Sequence, residues 1–330
     1  MAENVIVPLP RPPVGDTIDA AADWVAVTFE PVLDGFAAGV SAVIVGLTDV
    51  FLLVPPLLAV VVLALLATLV RSVRFGVLSF LALLLVASMD LWGPTIELLS
   101  LIVIATAAAC AIGIPIGIAA ARSERTSSAV KPVLDFMQTM PAFAYLIPAV
   151  TFFSLGAVPG FVVTVIFSLP PAVRLTELGI RQVDAEVVEA GTAFGGSQRQ
   201  ILRGIQLPLA LPTIMAGINQ VIMLALSMAV IAGFIGAPGL GSVVVEGITR
   251  LNLGLGFEAG LAVVILAIYL DRLTAAFATD VPRRRLARAR SLLGRGSTSG
   301  AAGDQGEDGL SQEAQVEAGH HRSRRGLATR

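Results

Sequence analysis

Residues 136–173 read FMQTMPAFAYLIPAVTFFSLGAVPGFVVTVIFSLPPAV, a run without a single Asp, Glu, Lys or Arg. A helix that crosses a bilayer needs about 20 such residues. The run is too long for one crossing, and Gly156-Ala157-Val158-Pro159-Gly160 in its middle favours a tight reversal. One stretch therefore holds two crossings, and the fold class follows: all-α, a polytopic membrane helix bundle.

The flanking sequence repeats the pattern. Val50–Val70, Phe75–Met89, Leu98–Ala121 and Gly204–Val245 are equally free of charge. Of the 330 residues, 55% are hydrophobic and 14% charged, against roughly 25% charged in a soluble domain. No soluble core hides that much apolar surface, and no nucleic-acid partner is expected. Gly236-Ala237-Pro238-Gly239-Leu240-Gly241 should end a helix, which places one crossing at about Pro212–Ile235. A last crossing, about Phe257–Phe277, ends near Asp271 and Arg272, whose side chains can reach the interface. The count is about seven transmembrane helices.

Basic residues orient them, because Lys and Arg collect in cytoplasmic loops. With the N-terminus outside, 20 of the 22 basic residues fall inside, leaving only Arg11 and Arg250 outside. Short loops alone give nine against one, so the long C-terminal tail does not decide the matter.

Residues 1–54 form an extracytoplasmic N-terminal segment in this scheme, and 55–92 hold two accessory crossings. Phe36–Leu53 is apolar but interrupted by Thr48 and Asp49; the acidic stretch before it carries Trp24 and Phe29. That pattern fits a helix lying at the outer interface, with a spanning helix as the alternative. Met1–Val14 lacks the basic region and apolar stretch of a cleavable signal peptide. Residues 280–330 are basic, rich in Gly and Ser, and expected to be disordered in the cytoplasm. Arg283-Arg284-Arg285 with Arg288 and Arg290 could rest on anionic lipid. The adjacent His320 and His321 read as solvated rather than as metal ligands, and Cys110 as a packed residue.

One cytoplasmic loop, 181–211, is long and mixed in polarity. Asp184 can cap a short helix in which Val187, Val188, Gly191 and Phe194 recur at helical spacing. Gly195-Gly196 ends that helix. Ser197 and Gln200 then form a capping-box pattern for a second helix, Gln198–Gln206, with Pro208 and Pro212 expected to stop it. A helix with a small apolar face on the cytoplasmic side is suited to enter a partner's groove.

Within this loop stand Glu189-Ala190-Gly191, three residues, Gly195, nine residues, Ile205, one residue, and Leu207-Pro208. This resembles the EAA loop of binding-protein-dependent ABC importer permeases, with Gly191 in place of the usual second Ala. Further stretches are similar to the glycine betaine and proline betaine permeases: 134–143 (LDFMQTMPAF), 169–176 (LPPAVRLT), 206–220 (QLPLALPTIMAGINQ), 224–231 and 268–274.

The resemblance implies a type I importer permease whose conserved-type transmembrane domain covers 93–279 and carries the EAA loop. By that analogy Ala190, Gly191 and Phe194 contact the ATPase, Glu189 holds the loop through charge-assisted hydrogen bonds, and Gly195 gives the turn, with Ile205, Leu207 and Pro208 completing the motif. The chain itself would be no enzyme and hold no cofactor: ATP and Mg would be bound by the partner subunit, and no Walker-type glycine loop occurs here. Expected partners are two copies of a cytoplasmic ATP-binding subunit, an extracytoplasmic substrate-binding protein, a second permease copy in a homodimer, and membrane lipid. Aromatic residues make up only 6% of the chain, so tight recognition of a quaternary ammonium group should belong to the binding protein. Gln138, Thr139, Tyr145, Asn219, Gln220 and Ser227 are the polar candidates to line a low-affinity pathway; a helix-packing hydrogen bond is the competing role for each. An ABC permease for choline, carnitine or an amino acid shares the loop. An ion-coupled secondary transporter should instead show inverted repeats and midplane ionisable groups; a membrane scaffold or receptor component is a further alternative.

Overall fold

A computed structural model describes residues 13–278. The tail, with His320-His321 and the arginine cluster at 283–285, lies outside the described residues. Helices α1 (Val14–Thr28), α2 (Glu30–Leu52), α3 (Pro56–Val70) and α4 (Val73–Ser88) precede the long α5 (Trp92–Arg122). Then come α6 (Glu124–Thr139), α7 (Leu146–Phe153), α8 (Ala157–Arg181), α9 (Ala185–Ala193), α10 (Gln198–Ile201), α11 (Leu207–Ile231), α12 (Leu240–Thr249) and α13 (Leu253–Ala278).

Among the described residues, five helices are long and apolar enough to cross a membrane, or six if α6 and α7 count as one bent span. This differs from seven straight crossings in three places, each with a local cause. The run Val50–Val70 is cut by Pro55-Pro56: its first residues close α2, Pro55 is extended, and α3 is left with 15 residues. At 1.5 Å per residue, α3 and the 16-residue α4 are shorter than a hydrocarbon core of about 30 Å. Second, residues 136–155 do not form one straight helix. Met140, extended before Pro141, breaks the chain, and the axis turns by 108°. Third, α2 is a continuous 23-residue helix starting at Glu30, so Asp49 lies in its last turn rather than at its centre. That removes the main cost counted against a crossing there, and α2 qualifies by length and composition.

The two prolines of the hairpin exit also behave differently from expectation. Pro208 and Pro212 do not stop the helix: α10 runs through a π-helical turn, Leu202–Gln206, directly into α11. Pro208 follows directly on the π-helical turn, whose wider spacing accommodates its ring and missing N–H. The reversal before α8 falls at Ser154–Gly156, which leaves Pro159 inside the first turn of α8.

The core is α5, α8 and α11, packed by small residues. A Cβ placed on Gly113 would stand 2.6 Å from the Ala172 Cβ; on Gly117 it would stand 2.6 Å from both the Thr176 Cβ and the Val173 carbonyl. On the other side of α8, a Cβ on Gly217 would meet the Leu175 Cβ at 2.9 Å. Lipid tails are as apolar as Leu, so helices in a membrane associate through such close backbone approach rather than through apolar burial. The α3–α4 hairpin docks on α13 through Tyr269, whose hydroxyl donates to the Leu63 carbonyl at 3.0 Å while its ring stacks on Phe75.

Helix α13 runs from Leu253 to Ala278, within a residue of the expected end, and Asp271 lies inside it. There Asn219 of α11 donates to Asp271 at 2.9 Å and accepts from Thr274. The carboxylate is thus absorbed by a helix–helix contact.

Gly117→Leu should cost about 1–3 kcal/mol by overpacking the α5–α8 contact, read as a lower melting temperature of the purified protein in detergent. Gly35→Leu on α2, where nothing lies within 4 Å of an added Cβ, should change it little.

Candidate functional site

The segment from Arg181 to Gln206 forms a helical hairpin at the end of the bundle where α5 and α8 terminate. Its first arm starts at Asp184, whose carboxylate accepts the Glu186 N–H at 2.9 Å. The arm ends at Gly195, with φ of +80°, a backbone conformation that costs L-residues roughly 1–2 kcal/mol. The second arm starts with the capping box: Gln200 Oε1 accepts the Ser197 N–H at 2.8 Å. Each helix start in the hairpin is thus capped by the hairpin's own residues.

What the residues face divides them into two sets. Glu189 and Ala190 are exposed, and Phe194 is 94% exposed, an unusual position for a phenyl ring. Glu189 makes no intramolecular hydrogen bond or ion pair among the described residues, and its carboxylate is free to meet a cation from elsewhere. Gly191 belongs to the other set. A Cβ there would stand 2.6 Å from Ile205 Cδ1, and its carbonyl accepts the Gly196 N–H at 3.1 Å. The close approach that Gly191 permits is therefore to the hairpin's own second arm. Ile205 and Leu207 are partly buried, whereas Pro208 is exposed.

The hairpin is rooted on a small apolar cluster, separate from the main core, in which Leu202 packs with Ile180, Ala210 and Ile214, and Leu207 lies against them. A cavity of about 270 Å³ remains between hairpin and bundle, lined among others by Arg122, Val188, Thr192 and Ile201. Beside it, Arg181 binds three elements. Its Nε pairs with Glu177 at 3.0 Å, Nη1 with Glu124 at 3.0 Å, and Nη2 donates to the Ala120 carbonyl at 3.0 Å. Ser127 donates to the same Glu177 oxygen at 2.7 Å. The ends of α5 and α8 and the start of α6 are thereby pinned together immediately before the hairpin leaves the bundle. Glu177 and Ser127 are 50 positions apart, and only the fold pairs them.

The polar pathway candidates separate as well. Asn219 is engaged with Asp271 and Thr274, and Tyr145 is buried with its hydroxyl donating to the Met137 carbonyl. Gln138, Thr139, Gln220 and Ser227 are exposed. Thr139 and Ser227 bond only to carbonyls one turn back on their own helices, and Gln220 makes no hydrogen bond among the described residues. No group of three or more His, Cys, Asp or Glu is placed to hold a metal among the described residues.

An all-helical bundle with lipid-length apolar helices defines a polytopic membrane protein. Residues 113–283 match the family described as binding-protein-dependent transport system inner membrane component. The chain is 46% identical over 266 residues to the glycine betaine transport system permease protein OpuAB of Bacillus subtilis (strain 168), covering 81% of this chain and 94% of that protein. It is 46% identical over 268 residues to the glycine betaine/proline betaine transport system permease protein ProW of Escherichia coli (strain K12), covering 81% and 76%. With the glycine betaine/carnitine transport permease protein GbuB of Listeria monocytogenes serotype 1/2a it shares 48% over 277 residues, covering 82% and 96%. A chain of the MetNI methionine ABC transporter has the same fold, with a TM-score of 0.52, 19% identity, and coverage of 55% of this chain and 91% of that one.

The chain belongs to the binding-protein-dependent transport system inner membrane component family. It is a multi-pass inner membrane permease subunit and not an enzyme; ATP hydrolysis belongs to a separate ATP-binding subunit, and a substrate-binding protein completes the system.

Gly195→Val strains the turn and Glu189→Lys reverses the exposed charge. Both variants should insert normally yet lose most coupled transport while the ATPase still turns over, measured as uptake per ATP hydrolysed in proteoliposomes. Wild-type coupling in both would remove the hairpin from the coupling path.

Proposed function

We propose that this chain forms the translocation pathway of an ATP-driven importer for glycine betaine and proline betaine type solutes, and that the 181–206 hairpin couples it to the ATPase. The observation that carries the coupling role is the hairpin itself. It is closed by its own caps and rooted on the bundle, yet presents Ala190, Phe194 and an unpaired Glu189 outward. The substrate class rests on about 46% identity over four-fifths of the chain to permeases named for those solutes. Carnitine, named with GbuB, shares the trimethylammonium group and is the natural second substrate to test.

One chain supplies one hairpin and one side of a conduit. Two copies are therefore needed, each seated on one of two ATP-binding subunits, with ATP and Mg held by those subunits. Ala190 and Phe194 would enter a groove on the ATPase as a helix-in-groove contact, and Glu189 would pair with a cation on it. Closure of the ATPase pair would draw the two hairpins together and rock the halves as rigid bodies. The three-way contact of Arg181 transmits that motion to α5, α6 and α8 as one body.

By the positive-inside rule the hairpin and the C-terminus would lie on the cytoplasmic side. The side of the N-terminus is then set by α2: outside if α2 rests on the outer surface, inside if it crosses. Labelling of Ala20→Cys by an impermeant maleimide reads this directly, and a reporter fused after Arg330 should be cytoplasmic.

Reconstituted with its ATPase and binding protein, the chain should take up labelled glycine betaine only when ATP is present. Uptake that persists without ATP would replace this function by an ion-coupled one.

A further inference from the structure

The exposed surface of the bundle is of two kinds. On α3 it consists of Leu57, Leu58, Val61, Val62, Leu65 and Leu69, an apolar face suited to lipid. On α11 it is a stripe opposite the buried Val221, Ala225 and Met228, formed by Ala216, Gln220, Met223 and Ser227 at helical spacing. Among the described residues, Gln220 and Ser227 make no cross-helix hydrogen bond. An amide left facing hydrocarbon is costly, so this stripe faces water or a wet interface between copies.

The stripe runs on, seven residues beyond Ser227, to Phe234 in the 3₁₀ turn Ala232–Ile235. Against it lies Phe143, on the 3₁₀ turn Ala142–Tyr145 at the bend between α6 and α7. The two rings meet edge to face, with centroids 5.6 Å apart and planes at 69°. They are 56% and 51% exposed, so ring surface stays open beside the polar stripe.

We infer that Phe143 and Phe234 form the contact through which the conduit handles the cationic end of its substrate, a quaternary ammonium group. The inference rests on the substrate class proposed above. A quaternary ammonium carries no N–H, so Gln220 and Ser227 cannot hold it by accepting a hydrogen bond. The carboxylate of Asp271 on α13 accepts from Asn219 and pairs with Arg272, so its charge is met within the bundle. An open aromatic face is the remaining complement. At partly exposed sites that attraction is weak, which suits a pathway where the solute must both enter and leave. Phe143 also sits above α6, whose first turn is tied to the hairpin end by Glu124–Arg181 and Ser127–Glu177, while Phe234 closes α11. A rocking of α6 against α11 would therefore change the open ring area with each cycle.

The test uses the full transporter, with wild-type ATPase and binding protein, in proteoliposomes. The double variant Phe143→Leu, Phe234→Leu keeps apolar bulk and removes both rings; Phe143→Tyr, Phe234→Tyr keeps them. The Leu pair should lower the maximal rate of labelled glycine betaine uptake about two- to fivefold. The ATPase rate without binding protein and the binding protein's own affinity should stay unchanged, and the Tyr pair should transport like wild type. Wild-type uptake by the Leu pair, or an equal loss in the Tyr pair, overturns the inference while leaving the proposed substrate standing. A wild-type transporter that carries no quaternary ammonium compound overturns both. Should the Leu pair fail to assemble, the single Leu variants, at half-exposed positions, read the same comparison.

Discussion

The bundle depends on how closely α8 can be approached from both sides. Gly113 and Gly117 bring α5 onto one face, and Gly217 brings α11 onto the other. Inside a membrane there is no hydrophobic gain from pressing helices together, so the attraction must come from contact over long, closely matched surfaces. Small residues make that contact possible, and a single added methyl would stand inside van der Waals range of backbone or Cβ atoms. Everything that moves in the proposed cycle is carried on this three-helix unit.

That unit is tied together at the end from which the hairpin leaves. The guanidinium of Arg181 reaches α5, α6 and its own helix at once, and Glu177 adds Ser127 to the set. Exposed ion pairs contribute little to stability. Glu177 is nearly buried, however, and a network that joins three helix ends fixes their relative position even when its net energy is modest. The hairpin beyond it is rigid for a different reason, since each arm carries its own cap and Gly191 lets Ile205 close over it. A lever should be stiff along its length and hinged elsewhere; here the evident break is the 108° bend after α6.

The polar residues show why composition reads poorly inside a membrane. Asn219 and Gln220 are adjacent in sequence and chemically alike, yet one is locked to Asp271 and the other is exposed. Helical geometry turns neighbours by about 100°, and which of the two meets α13 depends on the rotation of α11 in the bundle. Nothing local to the sequence specifies that rotation. The same holds for Phe143 and Phe234, 91 positions apart, which meet on two 3₁₀ turns that only the fold brings together.

The amino-acid sequence alone determined the all-helical membrane class, the hairpin and both of its caps. These rest on short-range physics: charge-free length, a carboxylate two residues before an N–H, a glycine where φ is positive. It also gave the break at Gly236–Gly241, for the same reason. The tertiary structure decided where helices truly end, since a π turn carries the helix on through Pro208 and Pro55-Pro56 divides a run that looks continuous. It alone paired Arg181 with Glu124, and Asn219 with Asp271, and it turned Gly191 inward. Those contacts join residues distant in the chain, and their geometry exists only once the helices have packed.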